Sequence, residues 1–145
     1  MSKTPPVGLR HQVTVTVEPG LTVPEVSPAF ANFQGMPAVF ATAYLVGLIE
    51  ETCVQALKPY LGENQRSVGT HIDVSHTAAT PVGMQATCEV ELTAIEGPQL
   101  TFRIECRDDV DSISTGTHQR FIVDLDRFNV RLEKKRAKGT ETSGS

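Results

Sequence analysis

No run of apolar residues in this 145-residue chain approaches the ~18 needed to cross a membrane. The first ten residues are polar, carry two prolines and lack the apolar stretch of a secretory leader, so a soluble, cytoplasmic protein is the expectation. Positive charge is not in excess. Thirteen Lys and Arg stand against seventeen Asp and Glu, a formal net charge of −4, which argues against a nucleic-acid partner. Cysteine is scarce and odd in number. Cys53, Cys88 and Cys106 lie far apart and form no Cys-x-x-Cys pair, so neither a disulfide framework nor a zinc ribbon is expected, and they read as small buried hydrophobes. No two His or Cys residues have ligand spacing within one predicted element, so no metal site is expected, and no cofactor is implied.

What is present suits one globular domain. A chain of this length buries about 68–70% of the surface it exposes when unfolded, enough for a core without staples. Val13, Val15 and Val17 alternate with polar residues and predict a half-buried strand, ended by the turn at Glu18-Pro19-Gly20. Residues 21–37 mix prolines and Gly35 with Val23, Val26, Phe30, Phe33 and Met36. That composition fits a lid or wall over a pocket, or equally a connector packing its own apolar side chains on the core.

From Ala38 to about Tyr60 there is no proline before Pro59 and one glycine, Gly47. Pro37 suits a first helical turn, and the apolar residues of the first half fall nearly all round, the pattern of a buried helix. Three alternating stretches follow, at about 68–78, 84–94 and 100–107, and a last strand is predicted over 112–124. In the first of these, Ile72, Val74 and His76 share the inward phase, and Gly69 and Asp73 the outward one. Residues 132–145 read as a polar, disordered tail, leaving 1–131 as the domain with its lid segment at 21–37.

One-sided strands around one long helix make an α+β domain, an antiparallel sheet curled over its helix, which is the hot-dog arrangement. Such folds generally pair, because a single helix leaves apolar surface and a sheet edge uncovered.

Two residues conflict with a purely structural role. Glu50 lies on the helix that should be core, and Thr42, Val46 and Glu50 form one stripe at i, i+4, i+8. At ~1.5 Å rise per residue Glu50 lies about 12 Å along the axis from Thr42. His76 sits in the inward phase of its strand, where a polar group needs a partner. Each has a bland explanation: a satisfied core histidine, a glutamate at the exposed end of a buried helix, a threonine bonded to its own backbone. His11, His71 and His118 fit the outward phase and read as surface residues.

The run from Ser67 to Thr70, continued by His76-Thr77-Ala78-Ala79-Thr80-Pro81, resembles the fluoroacetyl-CoA thioesterase family. So do Val46-Gly47-Leu48 with Glu50, Pro59-Tyr60-Leu61, Gly116-Thr117-His118 before Arg120, and Phe128-Asn129. The resemblance runs from about Val7 to Arg131. It implies a hot-dog homodimer with active sites at the subunit interface, hydrolysing an acyl-CoA thioester. It places the catalytic Thr, Glu and His on Thr42, Glu50 and His76, the active-site glycine on Gly69, and a neighbouring arginine on Arg120. The family's lid carries aromatic residues facing the fluorinated acyl group. Phe33 keeps one, and Met36 stands where the second is expected, with Val23 and Val26 completing an apolar acyl pocket. Lys and Arg residues between Arg120 and Arg136 are candidates to meet the CoA phosphates. Two other classes remain as competitors: a different hot-dog enzyme such as a hydratase, whose Asp/His pair is hard to build because Asp73 opposes His76 in phase, and a non-catalytic acyl-CoA-binding module.

Overall fold

The computed structural model describes residues 3–143, with side chains to Thr140. Five strands form one sheet: β1 (Arg10–Thr16), β2 (Gln65–Val74), β3 (Gln85–Glu96), β4 (Gln99–Arg107) and β5 (Ser112–Asp124). Their order is β1-β3-β4-β5-β2, and every neighbouring pair is antiparallel. Helix α1 (Thr42–Leu57) packs on the concave face, so the α+β expectation of a curled sheet over one helix holds.

The alternation predicted in the middle strands is what builds the core. Ala86, Cys88, Val90 and Leu92 of β3, and Leu100, Phe102, Ile104 and Cys106 of β4, are all buried. Against them α1 presents Leu45, Leu48, Ile49, Cys53, Ala56 and Leu57. Each large side chain of this kind contributes roughly 2 kcal/mol by leaving water. Cys88 and Cys106 face each other across β3 and β4, and with Cys53 they are buried, free thiols.

α1 departs from its prediction in two ways. It begins at Thr42, not in the first turn after Pro37. Residues 38–41 are extended because their backbone groups bond elsewhere: Phe40 N–H donates to the Thr80 carbonyl, Ala41 N–H to that of Leu21, and Val23 N–H to that of Val39. These bonds stitch residues 21–23 and the start of the helix to the Thr80-Pro81 turn. The helix is also not apolar all round. Thr42, Ala43, Gly47 and Val54 are exposed and Val46 and Glu50 half-buried, a stripe facing away from the sheet. The helix gives way to a 3-10 turn at Lys58–Tyr60, as expected where Pro59 has no N–H to continue the ladder.

β2 is an outer edge of the sheet, with no partner on its free side among the described residues. It ends at Val74, short of the predicted 78, and His76 lies in the connection beyond it. A bulge at Thr70 shifts the pairing from Gly69↔Arg120 to His71↔Gln119. Before the bulge the inward residues are Ser67 and Gly69; after it they are Ile72 and Val74. The single phase predicted through 68–78 is therefore half right, and Gly69, expected outward, faces the helix. An irregularity in β5 does the same to His118. The pairing Cys106↔Ser114 gives way to Arg107↔Ser112, so counting by twos from Ile113 gives the wrong face. His118 is 2% exposed, not a surface residue.

The expected disordered tail at 132–145 is the second half of a helix, α2 (Leu125–Ser143), and residues 144–145 lie outside those described. Asp124 caps it by accepting from the Arg127 N–H at 3.0 Å, and Glu133 pairs with Arg136 one turn on. Leu, Glu, Lys, Arg and Ala are strong helix formers, and α2 extends into solvent on that propensity. None of the helices in the described residues is long and apolar enough to cross a membrane.

Candidate active site

The polar residues singled out in the sequence fall into two groups, both on the open stripe of α1. The first is at the start of the helix. Thr42 Oγ1 lies 2.7 Å from His76 Nδ1. The other ring nitrogen, Nε2, is buried without a hydrogen-bond partner among the described residues. Burial lowers the His76 pKa, so the ring is neutral at pH 7 and able to take or give a proton. A buried ring nitrogen ordinarily finds a partner, so Nε2 is open to a water or to a substrate group.

The second group is two turns along. Glu50 Oε1 accepts from Arg120 at 3.0 Å, and Arg120 is itself only 4% exposed. A buried guanidinium needs its donors used, and here they are. Nε–H donates to Ser67 Oγ and Nη2 to the Ser67 carbonyl, both at 2.8 Å, and Nη1 reaches His118 Nε2 at 3.1 Å as well as Glu50. The Glu50 side chain remains partly exposed, at the wall of an open cleft of about 450 Å³ that Val46, Gly69, Thr70, His71, Ile72 and His118 complete.

Gly69 sits beneath that carboxylate. A Cβ placed there would lie 2.6 Å from Glu50 Oε1 and 3.2 Å from His118 Cε1. The position therefore admits no side chain while Glu50 stays where Arg120 holds it. Gly69→Ala is expected to displace the carboxylate and cut turnover about 10²-fold, as misplacement by about 1 Å does, with the melting temperature changed by only a few degrees. Steady-state kinetics beside a thermal melt checks this.

Within one chain Thr42 meets His76, and Glu50 meets Gly69 and Arg120, and no hydrogen bond among the described residues joins the two groups. Segment 21–37 meets the chain just before Thr42, where the Leu21 carbonyl accepts from the Ala41 N–H at 3.0 Å. Phe33 packs edge-on against Phe30 with ring centres 5.4 Å apart, Met36 is 49% exposed, and Val23 and Val26 are half-buried. Tyr44 of α1 ties segment 21–37 to the helix by donating to the Glu25 carbonyl at 3.4 Å, and Gln34 donates to the Pro24 carbonyl at 3.0 Å. Sequence reasoning missed Ser67 and His118. The Gly-Thr-His stretch was visible, but its strand phase pointed the imidazole outward. Among the described residues no group of three or more His, Cys, Asp or Glu could hold a metal ion.

A curled antiparallel sheet around one helix is the architecture of a hot-dog thioesterase. The chain belongs to the fluoroacetyl-CoA-specific thioesterase family, whose model matches residues 23–126. A fluoroacetyl-CoA thioesterase from Streptantibioticus cattleyicolor is 42% identical over 133 residues, 92% of this chain and 96% of that one. A solved fluoroacetyl-CoA thioesterase structure superposes with a TM-score of 0.89 at 41% identity, covering 92% of this chain and 98% of the other. A thioesterase-superfamily protein from Thermus thermophilus, 20% identical, covers 96% of this chain and 98% of its own with a TM-score of 0.83 and shares the fold.

Proposed function

We propose that this protein hydrolyses a short acyl-CoA, fluoroacetyl-CoA foremost, to the free acid and CoA, and that it does so in the cytoplasm as a homodimer with its two sites at the subunit interface. Such an activity would detoxify fluoroacetate. The observation that carries the reading is the division of the polar residues between two ends of one exposed helix face. Glu50 on Gly69 and the Thr42–His76 pair are each half of a site. A two-fold axis running beside Val46 and Gly47, with β2 pairing across it, would set the helices antiparallel. Thr42 of one subunit would then lie opposite Glu50 of its partner, about as far from the axis on each side. Gly47 is exposed with nothing within 4 Å of a Cβ built on it, and Ala43 beside it is small, so a second helix can approach closely. The unpaired edge of β2 and the 40% exposed Ile72 favour the same pairing.

In such a site every residue has work matched to its chemistry. Glu50 keeps one carboxylate oxygen on Arg120 and has the other free to take a proton from water, or to attack the thioester carbon directly and form an anhydride. Gly69 lets backbone come close to the carbonyl oxygen as it gains negative charge. The Thr42 hydroxyl can donate to the same oxygen, and His76, neutral at rest, can take the proton released by the attacking water and pass it to the departing thiolate. With a fluorinated acyl group, whose α-proton is more acidic, His76 could instead remove that proton. Val23, Val26, Phe33 and Met36 would wall the acyl pocket, and the cations of α2 from Arg127 to Arg136, which are exposed, would be the candidates to meet the CoA phosphates. Met36, flexible where an aromatic ring would be rigid, is expected to loosen the preference for the fluorinated group rather than stop hydrolysis. Ground for the hydratase reading is thin, since Asp73 is exposed and no contact joins it to His76.

The test is thiol release from fluoroacetyl-CoA beside acetyl-CoA at equal concentration. A preference of about 10-fold or more for the fluorinated substrate supports the proposal; one methylene-sized change in an apolar pocket is itself worth 10- to 200-fold. Equal rates would leave a general short-acyl hydrolase, and binding without turnover would leave a module that only holds acyl-CoA.

A further inference from the structure

The hydrogen bonds around Arg120 determine something about His118 that its position alone does not. Arginine carries donors and no acceptor, so the 3.1 Å contact between Arg120 Nη1 and His118 Nε2 requires a bare nitrogen at Nε2. The proton of the neutral ring is then on Nδ1, where it donates to the His71 carbonyl at 2.7 Å. Both nitrogens are used, and the ring is buried. Arg120 Nη1 has two N–H groups. One goes to His118, and the other is left aimed at Glu50 Oε1. On the other side of the guanidinium the two bonds to Ser67 fix its plane.

We infer that His118 is a positioning residue, whose neutral, Nδ1-protonated imidazole sets the direction in which Arg120 presents its N–H to Glu50. The inference rests on the thioesterase reading above and names a residue through which that site is held. His118 acts through Arg120, and it leaves the second Glu50 oxygen free to face the cleft. Protonation of His118 would place an N–H against the arginine N–H and add a second positive charge beside it. The charged and titratable groups facing the ring are Glu50 from α1, Arg120 from β5 and His71 from β2. Burial pushes the imidazole below its ordinary value, Arg120 adds to this, and the His71 carbonyl and Glu50 oppose it. The ring is therefore neutral at pH 7 and becomes charged only in acid, when the bond to Arg120 is lost.

Two substitutions separate the ring's two bonds. Glutamine can place an uncharged acceptor near the Nε2 position; asparagine can place a donor near Nδ1 but reaches no further. His118→Asn is expected to lower kcat for fluoroacetyl-CoA about 30-fold with KM changed less than about 3-fold. His118→Gln is expected to recover kcat to within about 5-fold of wild type and to move the acid limb of the kcat profile to lower pH, since one titrating group is gone. In the wild-type protein, 15N spectra of the histidine rings at pH 7 should show His118 protonated at Nδ1 and bare at Nε2. Equal kcat losses in both variants, wild-type kcat in both, an unmoved acid limb in His118→Gln, or a proton on Nε2 would each overturn the inference. If the asparagine variant fails to fold, the glutamine profile and the wild-type spectrum still decide it. Absence of thiol release by the wild type would instead bring down the proposed function, which separates the two failures.

Discussion

Glu50→Gln is expected to lower kcat about 10³-fold while the protein keeps its fold and its affinity for acyl-CoA. Glutamine has nearly the same shape, and its amide oxygen can still accept from Arg120, whose Nη1 lies 3.0 Å from Glu50 Oε1. Gly69 continues to leave room for it. What the substitution removes is the negative charge and the basic lone pair of the oxygen left free at the cleft. Either mechanistic route needs that oxygen, whether to accept a water proton or to attack carbon. General acid–base steps are worth about 10² to 10⁴, and loss of a covalent nucleophile costs at least as much. Some stability is lost as well, because Arg120 is buried and its charge would no longer be balanced, but its two bonds to Ser67 remain. Thiol release followed beside acyl-CoA binding checks both halves. A variant that kept more than a tenth of the wild-type rate would remove Glu50 from the chemistry.

Mixing inactive variants tests the arrangement of the two subunits. Thr42→Ala and Glu50→Gln would each be impaired alone. If each site takes Thr42 and His76 from one subunit and Glu50 from its partner, a mixed dimer has one site carrying both lesions and one carrying none. Random exchange makes half the dimers mixed, so activity should rise to about a quarter of wild type in a two-fold symmetric assembly. If each site is built within one chain, every site in the mixture keeps a lesion and no activity returns. The measurement is thiol release after the two proteins are unfolded together and refolded, with separately refolded samples mixed afterwards as the reference. The distance along α1 is what makes the outcomes differ. Thr42 and Glu50 are eight residues apart, about 12 Å, too far to act on one carbonyl unless side chains or a second chain close the gap.

The parts of this fold legible in the sequence are those where one periodicity runs unbroken. β3 and β4 bury every second residue from Ala86 to Leu92 and from Leu100 to Cys106, and simple alternation found them. The stripe Thr42, Val46, Glu50 was legible because helical spacing survives as long as the helix does. His76 was picked from an apolar phase although its strand stops at Val74; the half-buried setting of its ring came from the connection beyond. The bulge at Thr70 and the irregularity near Ile113 were invisible for a physical reason. Each adds one residue to a strand of period two, which turns every later side chain over, and no residue type is required at the insertion. Gly69 and His118 both lie where such a step decides the face. α2 was hidden differently. Past Leu132 its residues favour a helix individually but show no apolar face, and the eye takes a charged stretch without a face for an unstructured end. The start of α1 was misplaced because Pro37 is equally at home in an extended segment, and the carbonyls of Leu21 and Thr80 claim the amides of Ala41 and Phe40.

The three cysteines bear on how all these reactions can be watched. Cys53, Cys88 and Cys106 are sealed between α1 and the sheet, and burial pushes the Cys53 thiol well up. A thiol that no reagent can reach does not attack a disulfide. A coloured disulfide dye added to the folded enzyme would therefore count released CoA with little background from the protein. The same dye becomes a clock when the chain opens, since the interior sulfurs can react only as the sheet leaves its helix. One reagent in one cuvette would thus report turnover in the first minutes and, on heating, the lifetime of the native state.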